Sequence, residues 1–332
     1  MIEQAWQQRG IVAWMLYPLS LLFGLIAATR KLFYKTGLIK SYAASVPIIV
    51  VGNITVGGSG KTPMVVWLCR ELQRLGKHPG IISRGYGGEA SSWPQDVTPA
   101  SDPKMVGDEA VLLSDNTGCP MVVGPDRVAA ARMLHSKHVV DIIISDDGLQ
   151  HYRMQRAIEL VVIDGERRFG NGFLLPAGPL REPIKRLNLV DFVINNGGSS
   201  KSSFNQTAEV EMSLQPQHLL NLKSNEKMEV AEFINKFGKT IHAVAGIGNP
   251  ARLFKLLTTL GFVVTEHPFA DHHPYRPSDL ALSPSLPIIM TEKDAVKCRT
   301  FAADNHWMLP VEAVIRADFA EEIIHQLEKK YG

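Results

Sequence analysis

Six short apolar runs punctuate the first two hundred positions: 46–52 (VPIIVVG), 80–83 (GIIS), 120–124 (PMVVG), 139–145 (VVDIIIS), 158–164 (IELVVID) and 190–195 (VDFVIN). Within each run the hydrophobicity is continuous rather than alternating, the pattern of strands covered on both faces, and helical stretches lie between them. The expected fold is therefore α/β, a doubly wound and mainly parallel sheet. A polar, glycine- and serine-rich stretch at 195–206 (NNGGSSKSSFNQ) reads as a linker or exposed loop. After it, IHAVAGIGNP and ARLFKLLTTLGFVV give strand, turn, helix and strand, then come LPIIMTEKDAVK and a closing helix, FAEEIIHQLEKK. This predicts a second, smaller α/β domain. The expected division is 1–40 for an N-terminal segment, 41–200 for the first domain, and 201–332 for the linker and second domain.

The N-terminal segment breaks the soluble pattern. Residues 10–29 (GIVAWMLYPLSLLFGLIAAT) carry no formal charge, and as a helix they would reach about 30 Å, the thickness of a hydrocarbon core. Arg30, Lys31, Lys35 and Lys40 follow without an acid among them, an arrangement attracted to an anionic leaflet. A cleaved signal peptide is disfavoured, because Glu3 precedes the run and no A-x-A site closes it. Pro18 and Gly24 interrupt the run and suit a kinked or interfacial helix better than a straight spanning one, with a buried core helix as the alternative.

Composition narrows the function classes. With 35 Lys+Arg against 33 Asp+Glu, the net charge of +2 is too balanced for a nucleic-acid binder that relies on massed phosphate contacts. The three cysteines, Cys69, Cys119 and Cys298, lie far apart with no C-x-x-C pair, which suggests neither a disulfide framework nor a thiolate metal site and points to a cytosolic setting.

The chemistry gathers first at 51–63 (VGNITVGGSGKTP), a glycine-rich turn between a predicted strand and a predicted helix. A phosphate cradle needs converging backbone N–H groups, a helix N-terminus and an ammonium group. The stretch Thr55, Val56, Gly57, Gly58, Ser59, Gly60, Lys61, Thr62 supplies all three, with Thr62 offering a hydroxyl to Mg²⁺. Thr55 stands where the G-x-x-x-x-G-K-[ST] pattern has its first glycine, a loss that Gly52 and the Gly57–Gly58 doublet can offset. The loop also resembles that of the partitioning and signal-recognition class of nucleotide-binding proteins, but Val56 occupies the place of the lysine that its partitioning members reach across a dimer with. A GTPase would need N-K-x-D, and TEKD at 291–294 fails the spacing, which favours ATP.

Asp146 and Asp147, at the end of a predicted strand, are placed to hold Mg²⁺. Asp108 and Glu109 precede a helical run, where capping is the simpler alternative. Arg127, in the first turn of another helix, opposes the helix dipole and so invites an anion. Arginine-bearing loops at 84–88 (RGYGG) and 174–183 (LLPAGPLREP) follow strands, where such folds bind ligands. In FADHHPY (269–275), zinc binding is disfavoured for want of further ligands, and a histidine acting as proton acceptor is preferred.

Taken together, NITVGGSGKTP, SRGYGG, VGDEA, GPDR, SDDGLQH, NGFLLPAGPLRE, FADHHPY and TEKDAVK, with the apolar N-terminus, closely resemble the tetraacyldisaccharide 4'-kinase family of the lipid A pathway, almost end to end. The resemblance implies a P-loop NTPase-like fold with two α/β domains and the active site between them. It implies transfer of the γ-phosphoryl group of ATP, with Mg²⁺, to the 4'-hydroxyl of a membrane-resident tetraacyldisaccharide 1-phosphate, giving lipid IVA, at the cytoplasmic face of the bacterial inner membrane. Lys61 and Thr62 would bind nucleotide phosphate and Mg²⁺, with Asp146 and Asp147 in the metal region. The family's paired aspartate and histidine match Asp108 and His272, with His273 the competitor. No nucleic acid and no obligate protein partner are expected. The rival reading is a membrane-docked, nucleotide-switched ATPase, which would have no acceptor chemistry.

Overall fold

The computed structural model describes residues 6–198, 209–283 and 285–331. Each apolar run of the first two hundred positions forms a strand: β1 (Ile48–Gly52), β2 (Pro79–Ser83), β4 (Met121–Val123), β5 (Ile142–Asp146), β6 (Ile158–Asp164) and β7 (Phe192–Asn196), with a short edge strand β3 (Gln95–Val97). All residues of β1, β2, β4, β5, β6 and β7 are buried, so their unbroken hydrophobicity reflects cover on both faces. The helix Lys61–Arg74 supplies one cover, burying Met64, Val65, Leu68, Cys69 and Leu72 along a single face.

Two strands from beyond position 200, β8 (Glu209–Pro216) and β15 (Val311–Ile315), complete the first sheet in the order β15-β8-β7-β6-β1-β5-β2-β4-β3. Pairing is parallel from β8 to β4 and antiparallel only at the two edges. The second sheet, of strands β9 (Leu219–Asn221), β10 (Lys227–Met228), β11 (Thr240–Ala245), β12 (Val263–Pro268), β13 (Ile288–Met290) and β14 (His306–Met308), runs β10-β9-β14-β13-β11-β12. The chain thus crosses to the second sheet after β8 and returns on β15, and Gln217 N donates to Pro310 O at the crossing (2.9 Å). The sheets do not part at position 200. The closing helix Phe319–Tyr331 packs on the first sheet, with Phe319 against Trp67 (5.8 Å between ring centroids) and Phe192 (5.2 Å). Periodicity showed that helix but not its address, because its apolar face fits either domain. Of the expected linker, residues 199–206 lie outside the described residues.

The N-terminal helix, Ile11–Lys35, continues through Pro18 and buries only Ala13 and Ser20. The loop 171–182 fastens it along one side. Ser20 Oγ donates to Leu174 O (2.7 Å) and accepts from Ala177 N (3.0 Å), Trp14 and Tyr17 pack on Phe173, and a Cβ on Gly24 would lie 2.8 Å from Leu174 Cδ1. Gly24 therefore permits close approach of the helix to Leu174. The opposite side stands free, with Met15 75 %, Leu22 54 % and Leu25 65 % exposed.

Candidate active site

The order of strands around β1 decides where the site lies. β1 sits between β5 and β6, and the chain leaves it to build one half of the sheet before returning to the other, a topological switch point. The carboxyl ends there align by register: Val51 pairs with Asp146, Gly52 with Val161, and Asp164 with Asn196. The phosphate loop therefore emerges beside Asp146 as a consequence of pairing.

Within the loop, Gly57 (φ +98°) and Gly60 (φ +95°) take the left-handed backbone that other residues avoid. Thr55 is instead extended, bridging antiparallel to Leu180 while Val56 N donates to Pro179 O (2.8 Å), which is why glycine is dispensable at that place. Gly52 contributes through close packing, since a Cβ there would lie 2.7 Å from Leu149 Cβ. Gly60 caps the helix Lys61–Arg74 and, among the described residues, no side-chain cap bonds its first turn, so the N–H groups and positive dipole end remain for an anion.

The adjacent carboxylates have opposite environments. Asp147 lies 3.6 Å from Lys61 Nζ and accepts from Arg181 Nη1 at 2.9 and 3.1 Å. Burial raises its pKa, but those two cations outweigh it and bring it to about 2. Asp146 is buried and accepts one hydrogen bond from Ser83 Oγ (3.1 Å); burial, with repulsion from Glu109 and Asp147, pushes its pKa up to about 7. A carboxyl moved from its usual 3.8 to about 7 prefers its proton more in the folded than in the unfolded chain, so ionising it between those values subtracts stability as pH rises. Asp146→Asn is accordingly expected to raise the melting temperature by several degrees at pH 8 and to change it little at about pH 3, below both values, where the carboxyl is protonated in the folded and the unfolded chain alike. Thermal denaturation at the two pH values checks this, and equal effects at both would contradict it.

The second domain supplies the opposing wall. His272, at φ +60° in the loop after β12, places Nδ1 3.2 Å from Oδ1 of Asp108, the first residue of the helix Asp108–Thr117. Strained backbone of this kind persists where surrounding contacts over-determine it. Burial raises the Asp108 pKa, yet the His272 hydrogen bond and the charges of Lys293 and Lys297 hold it below the usual carboxylate value. His273 turns into its own domain, pairing with Asp279 (3.0 Å) and packing on Phe269. Of the two neighbouring histidines, only His272 meets Asp108.

Arg127 is buried, its described donor contact being the Gly124 carbonyl at 3.5 Å, with Nε unpartnered among the described residues. It carries positive charge toward Asp146 and Asp147 without lining the cleft. Sequence reasoning missed a set of cross-domain contacts. Arg167 donates to Gly58 O (2.7 Å) and to Gly248 O (3.2 Å), and Arg252 donates to Asn196 Oδ1 (3.0 Å), whose amide donates to Ser59 O (2.9 Å). An asparagine ending the apolar run of β7 was the available signal. Lys293 was read as part of a failed nucleotide motif and of the TEKDAVK stretch, with no role of its own, yet its Nζ reaches Glu109, Asp271 and His272.

A cleft of about 2380 Å³ joins these parts, lined by Gly24 and Ala27 of the N-terminal helix, by Lys61 and Asp147, and by His272 and Lys293. It exceeds the roughly 300–1,000 Å³ typical of small-molecule sites and has room for two substrates. Among the described residues no group of three or more His, Cys, Asp or Glu could hold a metal unaided. That suits Mg²⁺, which keeps waters and phosphate oxygens as ligands. The residues present fit it, because the buried Asp146 carboxyl, though attracted by Lys61 and Arg127 at longer range, accepts a hydrogen bond from Ser83 and has no ion-pair partner among the described residues.

The chain is similar to known proteins along nearly its whole length. The family model for tetraacyldisaccharide-1-P 4'-kinase (LpxK) matches residues 12–328. Among relatives named tetraacyldisaccharide 4'-kinase, one from Nitrosococcus oceani is 46% identical over 330 residues, covering 99% of this chain and 95% of its own. Another, from Alkalilimnicola ehrlichii, is 51% identical over 298 residues, 90% of this chain and 87% of its own. The crystal structure of LpxK from Aquifex aeolicus in complex with ATP superposes with a TM-score of 0.80 at 26% identity, covering 97% of this chain and 100% of that one.

Proposed function

The chain belongs to the tetraacyldisaccharide-1-P 4'-kinase family, and from that premise we propose that its cleft moves the γ-phosphoryl group of ATP to the 4'-hydroxyl of a tetraacyldisaccharide 1-phosphate, yielding lipid IVA and ADP. The observation that carries this reading is the Asp108–His272 pair, held at 3.2 Å in the same cleft as Lys61. The phosphate loop, Thr55 to Thr62, binds the nucleotide phosphates through backbone N–H groups and the Lys61 ammonium. Thr62, Asp146 and Asp147 would hold Mg²⁺, which when bound offsets charge on the phosphate oxygens. Arg127 adds a fixed positive charge behind the two carboxylates.

His272 accepts the proton of the 4'-hydroxyl at Nε2, while Asp108 keeps the Nδ1 proton in place and stabilises the imidazolium that forms. The hydroxyl oxygen bonds to the γ-phosphorus, and the bond from phosphorus to the bridging oxygen breaks, leaving its electron pair on ADP. Radiolabelled ATP with tetraacyldisaccharide 1-phosphate in detergent tests the assignment. Label in the lipid supports it; label in inorganic phosphate alone, unchanged by added lipid, would mean a nucleotide-switched ATPase instead.

The N-terminal helix gives the acylated substrate its approach. Its contacts with the globular body extend from Trp14 to Lys31, so it lies along that body with one apolar face outward. This suits immersion in one leaflet, with Arg30, Lys31 and Lys35 toward anionic headgroups, at the cytoplasmic face of the inner membrane. Replacing the outward Met15, Leu22 and Leu25 by glutamine is expected to lower partition into anionic lipid vesicles at least tenfold, on roughly 1.5–3 kcal/mol per buried apolar side chain, while leaving ATP binding unchanged. Vesicle flotation measures it, and undiminished flotation would place the membrane contact elsewhere.

A further inference from the structure

Lys293, the second residue of the helix Glu292–Cys298, extends from the second domain into the seam between domains, its side chain mostly buried. Its ammonium lies 2.9 Å from Glu109 Oε1, 3.2 Å from Asp271 Oδ1 and 3.1 Å from His272 Nε2. An ammonium has three protons and no lone pair, so Nε2 can only accept from it. The imidazole is thereby fixed with its proton on Nδ1, toward Asp108, and its lone pair on Nε2.

We propose that Lys293 is a positioning residue for the base: it selects the His272 tautomer, caps the Nε2 lone pair until substrate arrives, and ties the His272 loop to the first domain through Glu109. When the acceptor hydroxyl enters, its oxygen takes the place of the ammonium at Nε2 and donates there, while Lys293 keeps Glu109 and Asp271. The site then passes from a capped to a competent base without a change of tautomer.

The charged and aromatic groups around His272 come from four elements. Asp108 meets it from one helix and Lys293 from another, Glu109 and Lys297 standing behind them on Lys293 and Asp108; Asp271 comes from its own loop, and Tyr86 from the loop after β2, with 4.8 Å between ring centroids. Removing Lys293 takes away a cation at the lone pair and leaves Glu109 and Asp271 uncompensated. Both changes favour protonation of the imidazole.

The inference rests on His272 as base, so the experiment includes His272→Ala beside Lys293→Met, which keeps the aliphatic stem, and Lys293→Arg, which keeps the charge. Phosphorylation of tetraacyldisaccharide 1-phosphate is measured across pH, with thermal melts and nucleotide binding for each variant. For Lys293→Met the expected result is a kcat loss of about 10²-fold with KM for ATP within threefold, and an acid limb of the rate profile moved upward by about one pH unit. Lys293→Arg should hold the limb in place and recover part of the rate. A His272→Ala loss under tenfold would overturn the base and this inference together. A large His272→Ala loss, with a Lys293→Met profile unmoved and kcat near normal, would overturn this inference alone. Equal losses in the Met and Arg variants with the limb unmoved would also overturn it, reducing Lys293 to a structural tie between domains.

Discussion

Lys61→Ala is expected to lower kcat about 10³-fold while the protein remains folded. The ammonium is partly exposed, takes part in no core packing, and sits 3.6 Å from Asp147. Its removal costs little stability for three reasons. Lys61 is the first residue of its helix and alanine keeps that backbone without strain, a partly exposed ion pair contributes about 0–1 kcal/mol, and Asp147 keeps its Arg181 partner. The catalytic loss is large because charge on the transferring phosphoryl group is what this site must stabilise, and deleting one preorganised donor to such charge costs about 10²–10³-fold. Lipid phosphorylation assays and a thermal melt check both halves. Near-normal turnover in a folded variant would refute the phosphate-loop reading, and a collapsed melt would show that Lys61 holds the fold.

The second large effect concerns the base. Asp108→Ala and His272→Ala should each reduce kcat by about 10²–10⁴-fold with little change in KM for ATP. The double variant should be little worse than the more damaged single one, because residues that act as a unit are strongly non-additive. The geometry supports this coupling: Asp108 is buried and its carboxylate meets His272 directly, so an alanine at 108 leaves the imidazole without its orienting acceptor. Multiplicative losses would assign the two residues separate tasks. His273→Ala should cost less than tenfold, since that ring is committed to Asp279. A large His273 effect would transfer the role of base to it.

These expectations divide between sequence and structure in an uneven way. The unbroken apolar runs were legible as covered parallel strands because burial on both faces leaves no polar alternation. The phosphate loop was legible because glycines, lysine and threonine at that spacing encode a local backbone shape. Thr55 looked like a defect in the motif, and its extended bridge to Leu180 shows it to be a pairing position. Gly24 and Pro18 looked like interruptions, but one permits close contact with Leu174 and the other is carried inside a continuous helix.

The sequence by itself determined the two α/β sheets, the nucleotide loop and the apolar N-terminal helix, since each is written within a few neighbouring positions. Tertiary structure decided everything that depends on distance between distant segments. It returned β15 and the closing helix to the first sheet, because strand pairing and an apolar helix face do not name their partners. It separated Asp146 from Asp147, because identical side chains titrate apart only through burial and the cations each one meets. It also chose His272 over His273: adjacent positions in a loop point different ways, and only folding brings one of them to Asp108 and Lys293 across the seam between domains.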